Sequence, residues 1–274
     1  NILISEKAQN AHQLRAVTLS ADEVENMSDY VKQNVVDIDY RLDEPWTILS
    51  AIEQSIKKKI ESVGTPLKEW NIKINRGILT GLNEAFIISK EKRDELVNAD
   101  PKSDEIIRPI LRGKDIKRYE YDFQNLYLIN THNGYVDENG NTIPPINIDD
   151  YPAVKDWLDS EEWNKNPKKG NSFKRLSERT DQGVTPYNLR SLAYMDDFSK
   201  PKIIWKIIGN QLAFAIDNNE QLVNNACYIL TGNFLEYLVI FLNSKAIYWY
   251  SDITNINKTG TGDVKIGAQN IALF

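Results

Sequence analysis

Pro201-Lys-Ile-Ile-Trp-Lys-Ile-Ile-Gly-Asn-Gln-Leu-Ala-Phe-Ala-Ile-Asp217, continued by Leu222-Val-Asn-Asn-Ala-Cys-Tyr-Ile-Leu230, decides the fold class. Short runs rich in Ile, Val and aromatics, broken at Gly209-Asn210 and Asn218-Asn219, predict three strands over 202–208, 212–216 and 222–230. Links this short join antiparallel neighbours, because parallel ones need a long crossover. Trp205 is expected in the core. Lys202, Ile204 and Lys206 share one face by the period of two, so one end of that face is expected to meet solvent or a phosphate backbone.

Outward from these strands the signals alternate. Apolar residues at helical spacing (Trp46, Leu49, Ile52, Ile56, Ile60, Val63) predict a helix over 45–63, opened by Pro45 and stopped by Gly64. Residues 70–74 and 85–88 look extended around a turn through Gly77 and Gly81. Ser89 is a candidate cap for a helix over 90–97, and Ser103 for another over 104–111 closed by Gly113. Residues 124–130 predict a strand, and Glu138-Asn-Gly-Asn141 marks a hairpin. Helices are expected over 151–163, 234–242 and 246–250, and a loop over 255–267. Together these give an α+β class: a mixed, largely antiparallel sheet with flanking helices and long recognition loops. Residues 1–43 read as the end of a preceding domain or a linker, and 44–274 as the principal domain. The start at Asn1 and the apolar stop at Ile271-Ala-Leu-Phe274 suggest a piece of a longer protein.

Composition narrows the classes of function. A single cysteine, Cys227, excludes an internal disulfide framework and points to a reducing compartment, the cytoplasm. With only His12 and His132 beside it, a structural zinc site is not expected. No apolar run reaches the length of a membrane span. The net charge is −6, yet the charge is segregated. Between Lys165 and Lys206 lie ten basic and four acidic residues, and between Ile106 and Tyr119 five basic and one acidic.

These basic stretches carry the binding candidates. Thr80 and Asn83, in the turn Thr80-Gly-Leu-Asn83, offer a hydroxyl and an amide without bulk. Arg112, Lys114, Lys117 and Arg118 follow the expected helix, whose dipole accounts for part of the cluster; the guanidinium forks of Arg112 and Arg118 suit phosphate or guanine. Lys168 and Lys169 occupy a basic loop. The segment Lys174-Arg-Leu-Ser-Glu-Arg-Thr-Asp-Gln-Gly-Val-Thr-Pro-Tyr-Asn-Leu-Arg190 combines Arg175, Arg179, Gln182, Tyr187, Asn188 and Arg190, the side chains that read base edges or stack on bases. Expected phosphate contacts are Lys114, Arg118, Lys168, Lys169, Lys202 and Lys206; expected base readers come from Arg175, Arg179, Gln182, Asn188 and Arg190. Catalytic constellations are missing: Gly260-Thr-Gly262 runs into Asp263-Val-Lys265 without a third glycine, and Asp149-Asp150 and Glu161-Glu162 read as solvated pairs.

The blocks Arg76-Gly-Ile-Leu-Thr-Gly-Leu-Asn-Glu-Ala-Phe-Ile-Ile88, Ile107-Arg-Pro-Ile-Leu-Arg-Gly-Lys-Asp-Ile-Lys-Arg-Tyr119, Tyr151-Pro-Ala-Val-Lys-Asp-Trp-Leu158, Lys200-Pro-Lys-Ile-Ile-Trp205 and Asn225-Ala-Cys-Tyr-Ile-Leu230 occur in this order, followed by residues 238–244. In these the chain resembles the TaqI-like C-terminal specificity domain of adenine-specific DNA methyltransferases, including single-chain type IIG restriction–modification enzymes. The resemblance runs from about Trp70 to the end. It implies double-stranded DNA as partner and a covalently linked methyltransferase domain that binds S-adenosylmethionine and flips the target adenine. The Asn-Pro-Pro-Tyr motif of such a domain is absent, and Thr185-Pro-Tyr-Asn188 does not replace it, so no cofactor is expected within this chain. Asn188 also stands where the family commonly has an acid. On this resemblance, 1–43 would be the end of the methyltransferase domain or its connection. Two alternatives stay open: a non-catalytic protein-interaction domain with a basic face for an acidic partner, and a nuclease or hydrolase with an unrecognised site.

Overall fold

The computed structural model describes residues 2–7, 13–19, 21–39, 48–160, 176–179, 181–190, 192–254, 257–258, 264–272 and 274. Two compact units result: Asn1–Pro66 with Asp252–Thr254, and Leu67–Ser251 with Asn255–Phe274.

In the first unit β1 (Ile2–Lys7), β2 (Gln13–Leu19) and β3 (Val36–Asp39) form an antiparallel meander in the order β1-β2-β3, with α1 (Met27–Asn34) between β2 and β3. Ala16, Val17 and Leu19 of β2 are buried. Helix α2 (Ala51–Val63) begins later than the apolar spacing suggests, because Ser50 is its cap: Glu53 N donates to Ser50 Oγ while Ser50 N donates to the Glu53 carboxylate. The N-terminal part of the expected helix, 45–47, lies outside the described residues. No residue of α2 is buried, so Ile52, Ile56 and Val63 display an apolar stripe.

The second unit is built on β4 (Ile72–Arg76), α3 (Asn83–Phe86), β5 (Ile87–Ser89), α4 (Lys90–Ala99), β6 (Ile107–Leu111), β7 (Leu126–Ile129), β8 (Tyr135–Val136), β9 (Thr142–Ile143) and α5 (Pro152–Asp159). After these come β10 (Lys202–Lys206), β11 (Ile208–Gly209), β12 (Phe214–Asp217), β13 (Leu222–Val223), β14 (Cys227–Gly232), α6 (Leu235–Leu242), α7 (Lys245–Thr254), β15 (Asn257–Lys258), β16 (Val264–Lys265) and α8 (Ala268–Ile271). The central sheet is antiparallel, in the order β12-β10-β14-β4. Its two faces are both covered, which is why β10 is apolar in both registers. Ile203, Trp205, Phe214 and Leu230 pack with α6 and the C-terminal segment; Ile204, Ala215 and Ile229 join the larger core shared with the second sheet, β13-β6-β7-β5.

The α+β class stands, but five local expectations change. The strand expected over 202–208 ends at Lys206, and β11 belongs to another sheet, β11-β16-β15. Residues 222–230 are two strands in different sheets. The Asn224 side chain accepts from Ala226 N and its carbonyl from Cys227 N, turning the chain so that β13 pairs parallel with β6 and β14 enters the central sheet. Residues 104–111 are not a helix. Asp100 caps a 3-10 turn over Pro101–Glu105, and Ile107–Leu111, with the β-branched Ile107 and Ile110, continues as β6. Asn83–Phe86 forms a helical turn ahead of β5, and β15 and β16 lie within the expected loop 255–267. The hairpin at 138–141 is present between β8 and β9: the Asp137 carboxylate accepts from Asn139 N and Asn141 N, and Gly140 takes φ +83°.

Candidate nucleic-acid interface

The turn after β4 is shaped by two glycines. Gly77 passes so close to β13 that any Cβ would meet the Asn224 backbone, with Val223 O only 2.7 Å away. Gly77 N donates to Cys227 O and Ile78 N to Val223 O, tying the turn to both sheets. Gly81 adopts φ +73° with Arg179 Nη1 2.9 Å from where a Cβ would sit. Thr80 between them is buried, and its hydroxyl donates to Asn83 Oδ1 at 2.6 Å. Thr80 therefore holds the turn and does not face a ligand. Asn83 stays exposed, with only its oxygen engaged among the described residues.

Arg179 corrects the expectation most sharply, because it is 1% exposed. Its Nη1 donates to Thr80 O at 2.5 Å and Asp181 O at 2.8 Å, and its Nη2 to Pro186 O at 2.8 Å and to Asn188 O. The guanidinium carbon lies 4.6 Å from the centre of the Phe86 ring. Here the charge meets main-chain carbonyls in place of a carboxylate, and burial lowers its pKa from 12.5 to about 10. Arg179 cannot reach a base; it staples the Thr80 turn to the loop 181–190.

That loop is organised from within. Asn188 is buried: its Oδ1 accepts from Thr185 Oγ1 and N, and its Nδ2 donates to Ile146 O at 2.9 Å. Gly183 N donates to Asn188 O, Leu189 N to Thr131 O, and Val184 N to Asn133 Oδ1 at 2.6 Å. The Tyr187 ring packs against the core and its hydroxyl donates to Asp159, so it is no open stacking platform. Asn188 and Tyr187 are thus removed from the base-reading set by burial and by prior hydrogen bonds. What remains outward is Gln182, Val184, Thr185 and Arg190. Arg190 touches Asp181 at 3.4 Å with its side chain 60% exposed, a contact of about 0–1 kcal/mol that a phosphate or base can displace. Val184 was not foreseen; an apolar residue flanked by Gly183 at the centre of a polar loop was the available signal.

The turn at 112–119 follows a strand, so no helix dipole supports its cations. Gly113 lies against β10, where a Cβ would stand 3.2 Å from Lys206 Cβ. Arg112 forks onto the buried Asp115, with Nε at 3.0 Å from Oδ2 and Nη2 at 3.0 Å from Oδ1, while its backbone N also donates to Oδ2. Lys117 pairs with Asp122. Arg118 donates to Asn243 O at 2.7 Å, closing the C-terminus of α6, and its guanidinium lies over Tyr119. Lys114 is exposed, Lys206 is half-buried, and neither has an ionic partner among the described residues. Lys202 is 0% exposed: its Nζ donates to Asp217 Oδ2 and Phe198 O, each at 2.6 Å, and it is no phosphate contact. The interior position of β10, between β12 and β14, encloses that end of the shared face. Lys168, Lys169 and Arg175 lie outside the described residues. Arg112, Arg118, Arg179 and Arg190 each have their own partner: Asp115, Asn243 O, four main-chain carbonyls and Asp181.

Among the described residues no group of three or more His, Cys, Asp and Glu could hold a metal, and no helix is long and apolar enough to cross a membrane. Cys227 is buried, with its thiol pushed up to about 12 by burial.

Comparison with known proteins places this geometry. No curated protein matches the chain. Among solved structures it is similar to the type IIL restriction-modification enzyme MmeI, solved in complex with DNA, at 12% identity and a TM-score of 0.50. That match covers 77% of this chain and 25% of the enzyme's. The type IIG restriction endonuclease BpuSI matches at 12% identity and a TM-score of 0.44, over 95% of this chain and 28% of its own. The chain therefore spans about a quarter of the length of either enzyme. The model of the TaqI-like C-terminal specificity domain matches residues 108–268, more than half of the sequence and inclusive of the basic turn, the stapled loop and the central strands β10, β12 and β14. The chain belongs to the TaqI-like C-terminal specificity domain family.

Proposed function

We propose that this chain is the target-recognition module of a restriction–modification adenine methyltransferase and that it binds duplex DNA sequence-specifically. The observation that carries this is the loop 181–190. Its buried polar side chains are committed to main-chain groups, while Gln182 and Arg190 are left outward on a fixed frame. Amide and guanidinium groups are those that discriminate adenine and guanine in the major groove. Lys114 and Lys206 supply non-specific phosphate attraction, joined by Lys168 and Lys169, while Arg175 joins the base readers. Catalysis, S-adenosylmethionine and any nuclease activity belong to a linked methyltransferase-bearing portion of a longer cytoplasmic protein, with 1–43 at its junction.

A second reading, a protein-interaction module, has one observation in its favour: Phe234, Tyr237 and Ile240 of the α6 region are exposed together, with Tyr237 stacked on Trp70. The two readings are separated by selecting from a random duplex pool and measuring anisotropy at two salt concentrations. Enrichment of one sequence is expected. Lys114→Ala should weaken all duplexes alike and reduce the salt slope by about 0.9. Arg190→Ala should cost about 1–3 kcal/mol at one base pair. Absence of sequence enrichment would remove the DNA-recognition reading.

A further inference from the structure

Val184 is 74% exposed in the middle of a loop held by hydrogen bonds on both sides. The constraint surrounds it on both sides. Its own N–H is held by Asn133 Oδ1 at 2.6 Å. Gly183 is pressed on Asn133 and on Leu189 O so tightly that no Cβ fits, and its N–H is held by Asn188 O. On the other side, the Thr185 hydroxyl and N–H are both taken by Asn188 Oδ1. The backbone thus fixes where the isopropyl group points, and the group is left exposed. An aliphatic side chain has no donor or acceptor and cannot read a base by hydrogen bonding. In the major groove it can recognise one thing: the C5-methyl group of a pyrimidine, carried by thymine and by 5-methylcytosine.

We infer that Val184 is a specificity-determining residue that packs on the C5-methyl group of a pyrimidine in the recognised sequence. This rests on the DNA-recognition reading above. Gln182, two residues earlier and also outward, carries the amide suited to the adenine that pairs with thymine, so the two side chains can address the two halves of one A·T pair.

The test uses the whole chain and the duplex recovered by selection, run in parallel on pools made with cytosine and with 5-methylcytosine. Each thymine of the recovered site is replaced singly by deoxyuridine, which retains every hydrogen-bonding group and loses the methyl. Each 5-methylcytosine is replaced by cytosine in the second arm. Removal of the contacted methyl should weaken binding about three- to fivefold at one position, the value of roughly one buried methyl group. Val184→Ala should bind the methylated and unmethylated forms of that position equally. Val63→Ala, an equally exposed valine on α2, should keep the full effect. A position found in the first arm identifies thymine, and one found in the second identifies 5-methylcytosine. If every methyl deletion affects the unaltered chain and Val184→Ala alike while sequence-specific binding persists, the inference fails and the DNA-recognition reading survives. If no duplex is selected, both fall.

Discussion

Replacing Arg179 by methionine removes a buried charge together with the donors that satisfy four carbonyls, those of Thr80, Asp181, Pro186 and Asn188. Two opposing effects set the magnitude. The fall in pKa from 12.5 to about 10 means that the guanidinium is held at an uncompensated cost of about 3 kcal/mol, at ~1.4 kcal/mol for each unit, and the substitution relieves it. Against this, each carbonyl left buried and unpaired costs about 1–3 kcal/mol. Asn188 O keeps its bond from Gly183 N, so three carbonyls are orphaned; at ~2 kcal/mol each the loss exceeds the relief by about 3 kcal/mol, and at ~1 kcal/mol each the two about cancel. A destabilisation of roughly 3 kcal/mol is the central expectation, large for a single substitution. It should be local first, because the bonds converge on one loop. Hydrogen exchange followed by mass spectrometry should show lost protection at Gly183, Asn188 and Leu189, with the β10 and β14 amides unchanged. Urea denaturation then gives the global part. Unaltered exchange in the loop together with an unaltered midpoint would show that Arg179 does not hold it.

Two further outcomes are expected. Lys202→Met leaves Asp217 as an unpaired buried carboxylate, although Tyr121 Oη, Asn219 N and Gln221 N still donate to it. It should lower stability by about 3–5 kcal/mol in urea titrations while leaving the salt slope of DNA binding as it was, opposite to Lys114→Ala. His132 is held neutral by burial, which lowers its pKa below 6.5. The unfolded chain then binds its proton first on acidification, so this residue's share of stability is complete above pH 6.5 and declines toward the folded pKa. His132→Asn should flatten the fall of the urea midpoint below pH 6.5, and an unchanged slope would contradict the assignment.

What the residues made legible, and what they did not, follows the range of the interactions. Trp205 as core, the hairpin around Gly140, the Ser89 cap and the antiparallel pairing of β10 with β12 rest on local rules of spacing and turn chemistry. The misplaced helix at 104–111 shows where such rules fail. Ser103 resembles a cap, but Asp100 takes that role in a 3-10 turn, and β6 is held by pairing with β7 and β13, which no local window contains. For the candidate interface, the sequence singles out the basic turn and the polar loop as proposals. It did not reveal which polar residues face inward, because Arg179 and Gln182 are equally hydrophilic on paper. The carbonyls of Asp181, Pro186 and Asn188 together with that of Thr80, 99 positions away, turn Arg179 into an interior residue. Lys202 was misassigned for the same reason: its carboxylate partner is fifteen positions away across a strand pair.

The loop 181–190 has a consequence for how such a protein can change its preferences. Its anchors, Arg179, Gly183 and Asn188, differ from the positions that point outward, so mutation at 182, 184 or 190 leaves the anchoring bonds intact. On the proposed reading, new targets can therefore be explored through a few side chains without reopening the folding problem. A saturation library confined to those three sites, with the anchors fixed, would keep a high proportion of folded members while sampling many alternative sequences.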